Sequence, residues 1–394
     1  MVRFFHTSDW HLGRLLYGKS LLEDQAEVLG RLLDLVDQKR PHGLVISGDI
    51  FDRALPPEAA VKLFDWFCTE AVLKRGLPVF VIPGNHDSAD RLGFGSGLLR
   101  ERGLTIFSRV EDALRPARLK GDDRVEVFIY GIPFVEPQLI ARYLGQENLK
   151  TPDETVRALT KKILADHSVG DSAHHPAVLI CHAFVVGGEA CESERDLFVG
   201  GSAYVNVDAF DGFAYTALGH LHKPQSAGRE NVRYSGSLMT YSKSEVAQTK
   251  SVTEIEMAKD GSFKLQELAL PPTRDLIYVE GDLQHLVSGA AAQTERERDS
   301  YVIAGLTDSG PVLDALAKLR LVYPNVLHVT RAGGYVPASL PSHEKRIERD
   351  SLSDLDLFAE FFRETTSEEL TAEERTTLIE ALANVQNANR ERPT

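Results

Sequence analysis

Five short polar motifs in the first 222 residues carry side chains that bind metal ions and transfer protons. They are Asp9-x-His11, Gly48-Asp49-x-x-Asp52, Gly84-Asn85-His86-Asp87, Cys181-His182 and Gly219-His220-x-His222. Carboxylates, an amide oxygen and imidazoles together make a mixed oxygen and nitrogen ligand set. Such a set suits Mn, Fe, Zn or Co better than Mg or Ca, which prefer oxygen ligands. The motifs therefore predict a transition-metal centre.

The five motifs differ in how specific they are. An isolated Asp-x-His occurs by chance in roughly a third of chains of this length, and His11 alone could equally be a satisfied loop histidine. The Gly84–Asp87 motif is more specific, because an Asn-containing turn explains Gly84 and Asn85 but not His86. We therefore base the prediction on all five motifs occurring in this order.

Each motif follows a segment that predicts a β-strand. These segments are apolar and rich in β-branched residues: Val2–Phe5, Leu44–Ser47, Pro78–Ile82, Ala177–Cys181 and Tyr215–Leu218, with Arg124–Tyr130 as a further strand. Apolar residues at helical spacing separate the first three, from Leu22 to Val36 and from Val61 to Val72. This order predicts an α/β domain in which the strand ends bring the motifs to one edge of a sheet.

A smaller unit follows Pro271–Pro272. Its pattern predicts a compact α+β module with strands at Leu276–Val279, Tyr301–Ala304 and Val326–Thr330, and helices at Leu283–Ala292 and Val312–Leu321. A polar linker then leads to two amphipathic helical segments. The second of them begins with a capping-box pattern at Thr371 and Glu374. These helices could fold back onto their own protein or dock onto a partner.

The composition, 43% hydrophobic and 26% charged, is that of a soluble globular protein. No apolar run approaches the roughly 18 residues that span a bilayer, and the first ten residues are too polar for a signal peptide. We therefore expect a cytoplasmic protein with no membrane contact. The three cysteines are an odd number without CxxC spacing, which argues against a disulfide framework.

The motifs resemble those of the calcineurin-like metallophosphoesterase superfamily over about residues 1–260. Four segments look like its SbcD branch of bacterial nuclease subunits: His6–Gly13, Gly48–Asp52, Arg195-Asp196 with Gly200, and Arg233–Ser237. The resemblance implies an α/β fold, a four-layer-type β-sandwich flanked by helices. It also implies a nuclease domain at 1–270, a capping domain at 271–335, and a linker with a C-terminal helix-loop-helix at 336–394.

The resemblance implies a role for each motif residue. Asp49 would bridge two divalent metal ions, expected to be Mn²⁺. The remaining ligands would be Asp9, His11 and His222 for one ion, and Asn85, His182 and His220 for the other. His86 would protonate the leaving oxygen, with Asp52 fixing its tautomer. Two ions in such a site activate water and stabilise the reacting phosphate.

The implied activity is that of a manganese-dependent DNA nuclease in DNA repair, recombination and replication, acting as an exonuclease on duplex ends and an endonuclease on hairpins and single strands. The implied partners are a second copy of the chain, bound through helices near Pro57–Leu73 and Ser88–Arg100, and an SbcC-type ATPase, bound through the C-terminal helices. Candidate dimer contacts, which could instead be core residues, are Trp66, Phe67, Phe94 and Leu98. The chain has no Walker A motif, so any ATP dependence would come from the partner.

Two alternatives remain at this stage. The same fold serves phosphatases of small or protein substrates, although Asp87 stands where superfamily protein phosphatases usually carry glutamate. A non-catalytic scaffold should have lost metal ligands, and none is missing. The net charge of −14 is unusual for a DNA enzyme, so we expect weak binding of duplex DNA by this subunit alone and additional grip from a partner.

Overall fold

The computed structural model describes residues 1–194, 204–288, 294–310 and 312–332, and in the C-terminal segment residues 355, 358, 359, 362, 370, 371 and 374–379. The chain separates into two compact units, Met1–Val329 and Thr330–Thr394. In the second unit, Thr371 Oγ1 accepts from the Glu374 amide at 3.3 Å and Glu374 Oε2 accepts from the Thr371 amide at 2.9 Å. This confirms the predicted capping box. The Arg195–Gly200 motif and most of the two predicted C-terminal helices lie outside the described residues.

The described strands and helices follow the chain in this order. The strands are β1 (Val2–Thr7), β2 (Leu15–Leu16), β3 (Lys19–Ser20), β4 (Gly43–Ser47), β5 (Val79–Ile82), β6 (Leu104–Ile106), β7 (Ala117–Lys120), β8 (Glu126–Ile132), β9 (Ala177–His182), β10 (Phe184–Val185), β11 (Tyr204–Val205), β12 (Tyr215–Gly219), β13 (Gln225–Ala227), β14 (Arg229–Tyr234), β15 (Ser251–Met257), β16 (Phe263–Ala269), β17 (Leu276–Gly281), β18 (Tyr301–Leu306) and β19 (Val326–Arg331). The helices are α1 (Leu22–Lys39), α2 (Glu58–Cys68), α3 (Ala89–Leu92), α4 (Ser96–Arg100), α5 (Pro137–Leu144), α6 (Pro152–His167), α7 (Leu283–Val287), α8 (Glu295–Asp299) and α9 (Ala315–Arg320).

Two six-stranded sheets form the centre of the first unit. Their strand orders are β16-β15-β1-β4-β5-β6 and β13-β14-β12-β9-β8-β7. Alternate residues of a strand face opposite sides, and β4 shows the consequence. Val45 packs between the sheets against residues such as Ile180, whereas Leu44 and Ile46 pack on the outer face with α1. On the second sheet, Leu179 packs outward in the cluster that contains α6. The result is the predicted four-layer sandwich flanked by helices.

The pair α5 and α6, which covers the second sheet, was not predicted from the sequence. The signal was present, because Thr151 caps α6 and forms a capping box with Glu154. The Thr151 hydroxyl accepts from the Glu154 amide at 3.2 Å. Leu159 and Ile163 lie on the buried face of the helix. None of the helices in the described part of the chain combines the length and apolar character needed to cross a bilayer.

The module after Pro272 is a three-stranded sheet of order β17-β18-β19 with short helices. Its three strands were predicted. Its first helix ends at Val287 rather than Ala292, and α8 was not anticipated. Leu276 and Ile303 from this sheet belong to the same hydrophobic cluster as the buried face of α1. The Tyr301 hydroxyl also donates to Asp24 of α1 at 2.7 Å. The module is thus packed onto α1 and the two-sheet sandwich through a shared apolar core.

A buried histidine joins the two sheets directly below the polar motifs. His6 of β1 contacts the Tyr215 hydroxyl at 3.0 Å through Nδ1, and the Ser47 hydroxyl at 3.0 Å through Nε2. Burial lowers the pKa of His6 from 6.5 to about 3, and the charge of Arg233 acts in the same direction. The folded state therefore holds this ring neutral.

Replacing His6 should change how stability depends on pH. The unfolded chain takes up a proton on this ring below pH 6.5 and the folded chain does so only near pH 3. Stability is therefore lost as the pH falls through this window, by up to about 1.4 kcal/mol per pH unit. We expect the unfolding free energy of His6→Gln to fall less steeply than that of the wild type between about pH 6 and 4.5. Urea unfolding without metal tests this, and equal slopes would contradict it.

Candidate metal centre

The loops that follow β1, β4, β5, β9 and β12 meet at one end of the sandwich. Two glycines make this approach possible. A Cβ atom on Gly219 would overlap the main-chain oxygen of Ser47, and one on Gly84 would overlap the carboxylate of Asp49. Glycine at these motif positions is therefore a steric requirement, because no other residue lets the backbone come so close.

Four of the predicted ligands have a positive φ, a conformation that is unusual for residues other than glycine. The φ angles are 53° for Asp9, 46° for His11, 51° for Asp49 and 110° for His220. Main-chain hydrogen bonds hold two of them, from the Asp9 amide to Gly48 O at 3.0 Å and from the His11 amide to Asp49 O at 2.9 Å. Backbone strain of this kind concentrates at functional sites, which supports a functional role for this cluster.

Three imidazoles surround the carboxylate of Asp49. Its Oδ2 lies 3.7 Å from His11 Nε2, 3.7 Å from His182 Nε2 and 3.9 Å from His86 Nε2. Asp49 is buried, as are all three histidines. A bridging position is predicted for this residue, and the structure places it at the centre of the cluster.

The remaining predicted ligands lie on either side of Asp49. On one side, ligand atoms of Asp9, His11 and His222 lie within 4.8 Å of one another, a group that could hold a metal ion. The two Nε2 atoms of His11 and His222 are 3.1 Å apart.

On the other side, Asn85 Oδ1 and His182 Nε2 are 2.9 Å apart, and the His182 and His220 rings have centroids 5.5 Å apart. The structure therefore brings all seven predicted ligands together.

The carboxylates of this cluster resist ionisation in the absence of a cation. Burial and the neighbouring charge of Asp49 raise the pKa of Asp9 well above its ordinary value. The same two causes raise the pKa of Asp87 to about 7. A bound divalent cation would reverse this effect, because its charge favours the ionised form of each carboxylate.

The imidazoles are held in the neutral form that binds metal ions. Burial and the facing imidazoles lower the pKa values of His11 and His220 well below the ordinary value. Burial lowers the pKa of His182 to about 4. In addition, the buried Nδ1 of His11 has no hydrogen-bond partner among the residues that the structure describes. Neutral rings, an unsatisfied buried nitrogen and clustered carboxylates are a donor set that fits divalent cations.

His86 and Asp52 meet through the main chain. His86 Nδ1 lies 2.8 Å from the main-chain oxygen of Asp52. Because a carbonyl oxygen only accepts, Nδ1 carries the proton and Nε2 faces the cluster. The Asp52 carboxylate instead accepts from Arg14 at 3.2 Å. The pairing of His86 with Asp52 follows from the motifs, but the atom involved is visible only in the structure.

Several residues around the centre were not identified from the sequence. The Gln25 side chain of α1 donates to His11 O at 2.9 Å and accepts from the Gly13 amide at 3.0 Å, which fixes the first loop. Asp87 accepts from the amides of Ile50 and Phe51 at 3.0 and 2.9 Å, which fixes the second. Asp87 is the last residue of the Gly84–Asp87 motif, so its position in the sequence could have indicated a role at the site. No motif near Gln25 indicates such a role for that residue.

Two further charged residues lie beside the centre. The Arg14 guanidinium stands over the Tyr241 ring, 5.0 Å from its centroid, and donates to Ser193 O. Glu194 accepts from the His222 amide at 2.6 Å, and burial raises its pKa to about 7. Arg14 stands three residues after His11 in the sequence, and only that proximity to a motif could have indicated it.

Comparison with known proteins identifies the family of the chain. The calcineurin-like phosphoesterase family model matches residues 2–224. A second model, described as the type 5 capsule protein repressor C-terminal domain, matches residues 272–366. A dimetal phosphatase from Danio rerio aligns with 68% of this chain and 96% of its own at 10% identity, with a TM-score of 0.42.

Two curated relatives match almost end to end. The SbcD subunit of the SbcCD nuclease from Staphylococcus saprophyticus is 31% identical over 94% of this chain and 95% of its own. The corresponding protein from Staphylococcus epidermidis is 28% identical over the same shares. The chain belongs to the calcineurin-like phosphoesterase family and, within it, to the SbcD nuclease subunits. The predicted family, fold class and enzyme class, a metal-dependent phosphodiesterase or nuclease, are confirmed.

Removing the charge of Asp49 should separate metal binding from folding. Without metal, Asp49→Asn relieves the repulsion that raises the Asp9 and Asp87 pKa values, so we expect a melting temperature in EDTA at least equal to that of the wild type. Excess Mn²⁺ should stabilise the wild type, by about 2.7 kcal/mol at 100 times Kd, but not the variant. Thermal melts with and without metal test this, with Asp34→Asn on the exposed face of α1 as the control. Equal stabilisation of Asp49→Asn and the control would contradict it.

Proposed function

We propose that this chain is a DNA nuclease that hydrolyses phosphodiesters at a centre of two metal ions. The observation that carries the proposal is the convergence of six further oxygen and nitrogen donors around the buried Asp49 carboxylate. Three imidazole nitrogens lie within 3.9 Å of one of its oxygens. A carboxylate has two oxygens and can serve two ions at once, and the remaining donors divide into a group on each side.

The proposed ligands follow that division. Asp49 is shared, one ion is held by Asp9, His11 and His222, and the other by Asn85, His182 and His220. The mixed donor set favours Mn²⁺ over Mg²⁺. When bound, the two ions supply Lewis-acid stabilisation of the phosphate and a water activated at neutral pH. The protein contributes rigid loops that hold the donors in place and an enclosed site with low exposure to solvent.

His86 is the proposed proton donor to the leaving oxygen. Its ring lies beside the ligands, with its centroid 4.6 Å from that of His11. The Asp52 carbonyl holds Nδ1–H, so Nε2 is the atom that points toward the centre. To act as the acid the ring carries a proton on each nitrogen: Nε2 gives its proton to the leaving oxygen, and the ring is left neutral with the remaining proton on Nδ1. A histidine that is near the reacting groups, but is not needed as a ligand, is suited to general acid catalysis.

The substrate and partner proposals rest on the relatives and on charge. Both relatives are named as subunits of a nuclease, SbcCD. We assign DNA as the substrate, and residues 336–394 to binding an SbcC-type ATPase, with 1–270 as nuclease domain and 271–335 as capping domain. The net charge of −14 makes weak binding to phosphate backbones the expectation for the isolated subunit, so the ATPase would supply additional affinity. This setting is cytoplasmic, at the nucleoid.

Loss of the His86 ring should slow cleavage strongly without removing metal. We expect His86→Ala to lower the rate of DNA cleavage in Mn²⁺ by about 10²–10⁴-fold, the contribution typical of general acid catalysis. Metal content should be unchanged. Cleavage of hairpin, single-stranded and blunt duplex DNA, together with metal analysis, measures both. His174→Ala, an exposed histidine away from the centre, is the control and should keep full activity.

The same assay distinguishes the other candidates. Addition of an SbcC-type ATPase with ATP should increase cleavage of duplex ends. Metal-loaded protein that cuts no DNA even with the ATPase, but prefers p-nitrophenyl phosphate to its bis ester, would refute the nuclease proposal in favour of a phosphomonoesterase. A protein that binds no metal after reconstitution with Mn²⁺ would instead be a scaffold.

We also propose a homodimer formed by the helices after the second and third motifs. Phe94 and Leu98 are 87% and 81% exposed, and Trp66 is 39% exposed. A groove of about 630 Å³ between α2 and the α3–α4 segment has an apolar lining, and burial of such a surface favours association. Phe67, the fourth candidate contact, is a core residue instead, because it is fully buried with its ring 4.9 Å from that of Trp10.

A charge on this surface should prevent dimerisation. Placing a carboxylate in an apolar interface leaves it buried without a partner, so we expect Leu98→Glu to be monomeric where the wild type is dimeric. Analytical ultracentrifugation measures the mass. Leu313→Glu, equally exposed at 79% on the small module, should remain dimeric. A monomeric wild type, or a dimeric Leu98→Glu, would disprove the proposed interface.

A further inference from the structure

We propose that Glu245, together with Lys250, is a positioning residue that fixes the tautomer and orientation of His222 for metal binding. The inference rests on the proposed function, in which His222 is a metal ligand. Glu245 closes a short 3₁₀ turn at Lys243–Glu245, is completely buried and lies outside the five motifs. The His222 ring turns Nε2 toward His11 and Nδ1 toward Glu245, which is 3.2 Å away.

The Glu245 carboxylate is an acceptor for an unusual number of donors. Lys250 Nζ is 2.6 Å from Oε2, the Ser237 hydroxyl 3.1 Å from Oε2 and the Ser242 hydroxyl 3.0 Å from Oε1. The Ser193 hydroxyl also donates to Oε1. Each of these contacts brings a donor, an ammonium or a hydroxyl, to an oxygen of the carboxylate. The carboxylate therefore only accepts, and a ring nitrogen that contacts it must donate.

The tautomer of His222 follows from that contact. Nδ1 carries the proton, so Nε2 keeps the lone pair that binds a cation. The Ser193 hydroxyl is also 2.7 Å from Nδ1, so it bridges the ring to Glu245. A carboxylate behind a ligating histidine orients the ring and raises its basicity. Removing the Glu245 carboxylate should therefore lower the affinity of one metal site more than it lowers the stability of the fold.

Lys250 contacts the main chain of His222, whereas Glu245 contacts its ring. Its buried ammonium donates to the main-chain oxygen of His222 at 3.1 Å and to the Ser237 hydroxyl at 2.9 Å, in addition to Glu245. Lys250 thus fixes the backbone of His222 while Glu245 fixes the ring. The two charges also compensate each other, so the pair polarises the imidazole without adding net charge beside the metal centre.

The experiment is a calorimetric titration of the metal-free full-length chain with Mn²⁺. The wild type should bind two ions. For Glu245→Gln we expect one binding step to weaken by about 10–100-fold, as for other outer partners of metal-binding histidines, while the second step is unchanged. The matched control is Glu254→Gln. Glu254 is also buried and its carboxylate pairs with Lys39 at 3.4 Å and with Arg3 at 3.7 Å, but none of the hydrogen bonds above involves it.

Circular dichroism and melting curves of the metal-free proteins separate positioning from folding. A Glu245→Gln protein that melts lower but binds both ions as tightly as the wild type would show a purely structural role and overturn the inference. Weakening of both steps alike, or in the control as much, would also overturn it. If Glu245→Gln does not fold, Ser193→Ala replaces it: severalfold weakening of one step supports the inference, and no change refutes it. A wild type that binds no Mn²⁺ refutes the proposed metal centre itself.

Discussion

The candidate metal centre depends on the buried side chain of Asp49, around which the other ionisable groups of the site converge. Its carboxylate lies within 4 Å of three imidazoles and close enough to Asp9 and Asp87 to raise the pKa of both. Such a cluster is unfavourable in a protein interior unless cations compensate it. The surrounding sandwich provides the stability that lets a cluster of this kind persist, because its apolar core spans both sheets and their flanking helices.

The loops around the cluster are held more firmly than their length suggests. Gln25 of α1 holds the loop after β1, and Asp87 in the loop after β5 holds the loop after β4. The pair Glu245–Lys250 holds the loop after β12. Positive φ angles at several ligands would be unfavourable without these hydrogen bonds. Donors that are already in position do not have to be ordered when a cation binds, and this preorganisation favours both affinity and catalysis.

Sequence patterns were informative where local physics decides the outcome. Continuous apolar runs predicted the buried strands, and helical spacing predicted α1. The helix α6 was missed although Thr151 and Glu154 form a capping box, because two threonines on its buried face weaken the apolar periodicity. For Phe67 the sequence left two positions open, a dimer interface and the core. Its type suited an interface as well as a core, and only the ring of Trp10 packed against it decides between the two.

The sequence by itself determined the strands that precede the five motifs, the seven residues predicted as ligands and the family to which the chain belongs. These follow from residue types and short spacings, which are local properties. Only the tertiary structure decided that Asp52 holds His86 through a main-chain oxygen and that Glu245 stands behind His222. His11 and His222 are 211 residues apart in the chain and 3.1 Å apart in space. Contacts of that kind depend on how the two sheets pack, which no local pattern encodes.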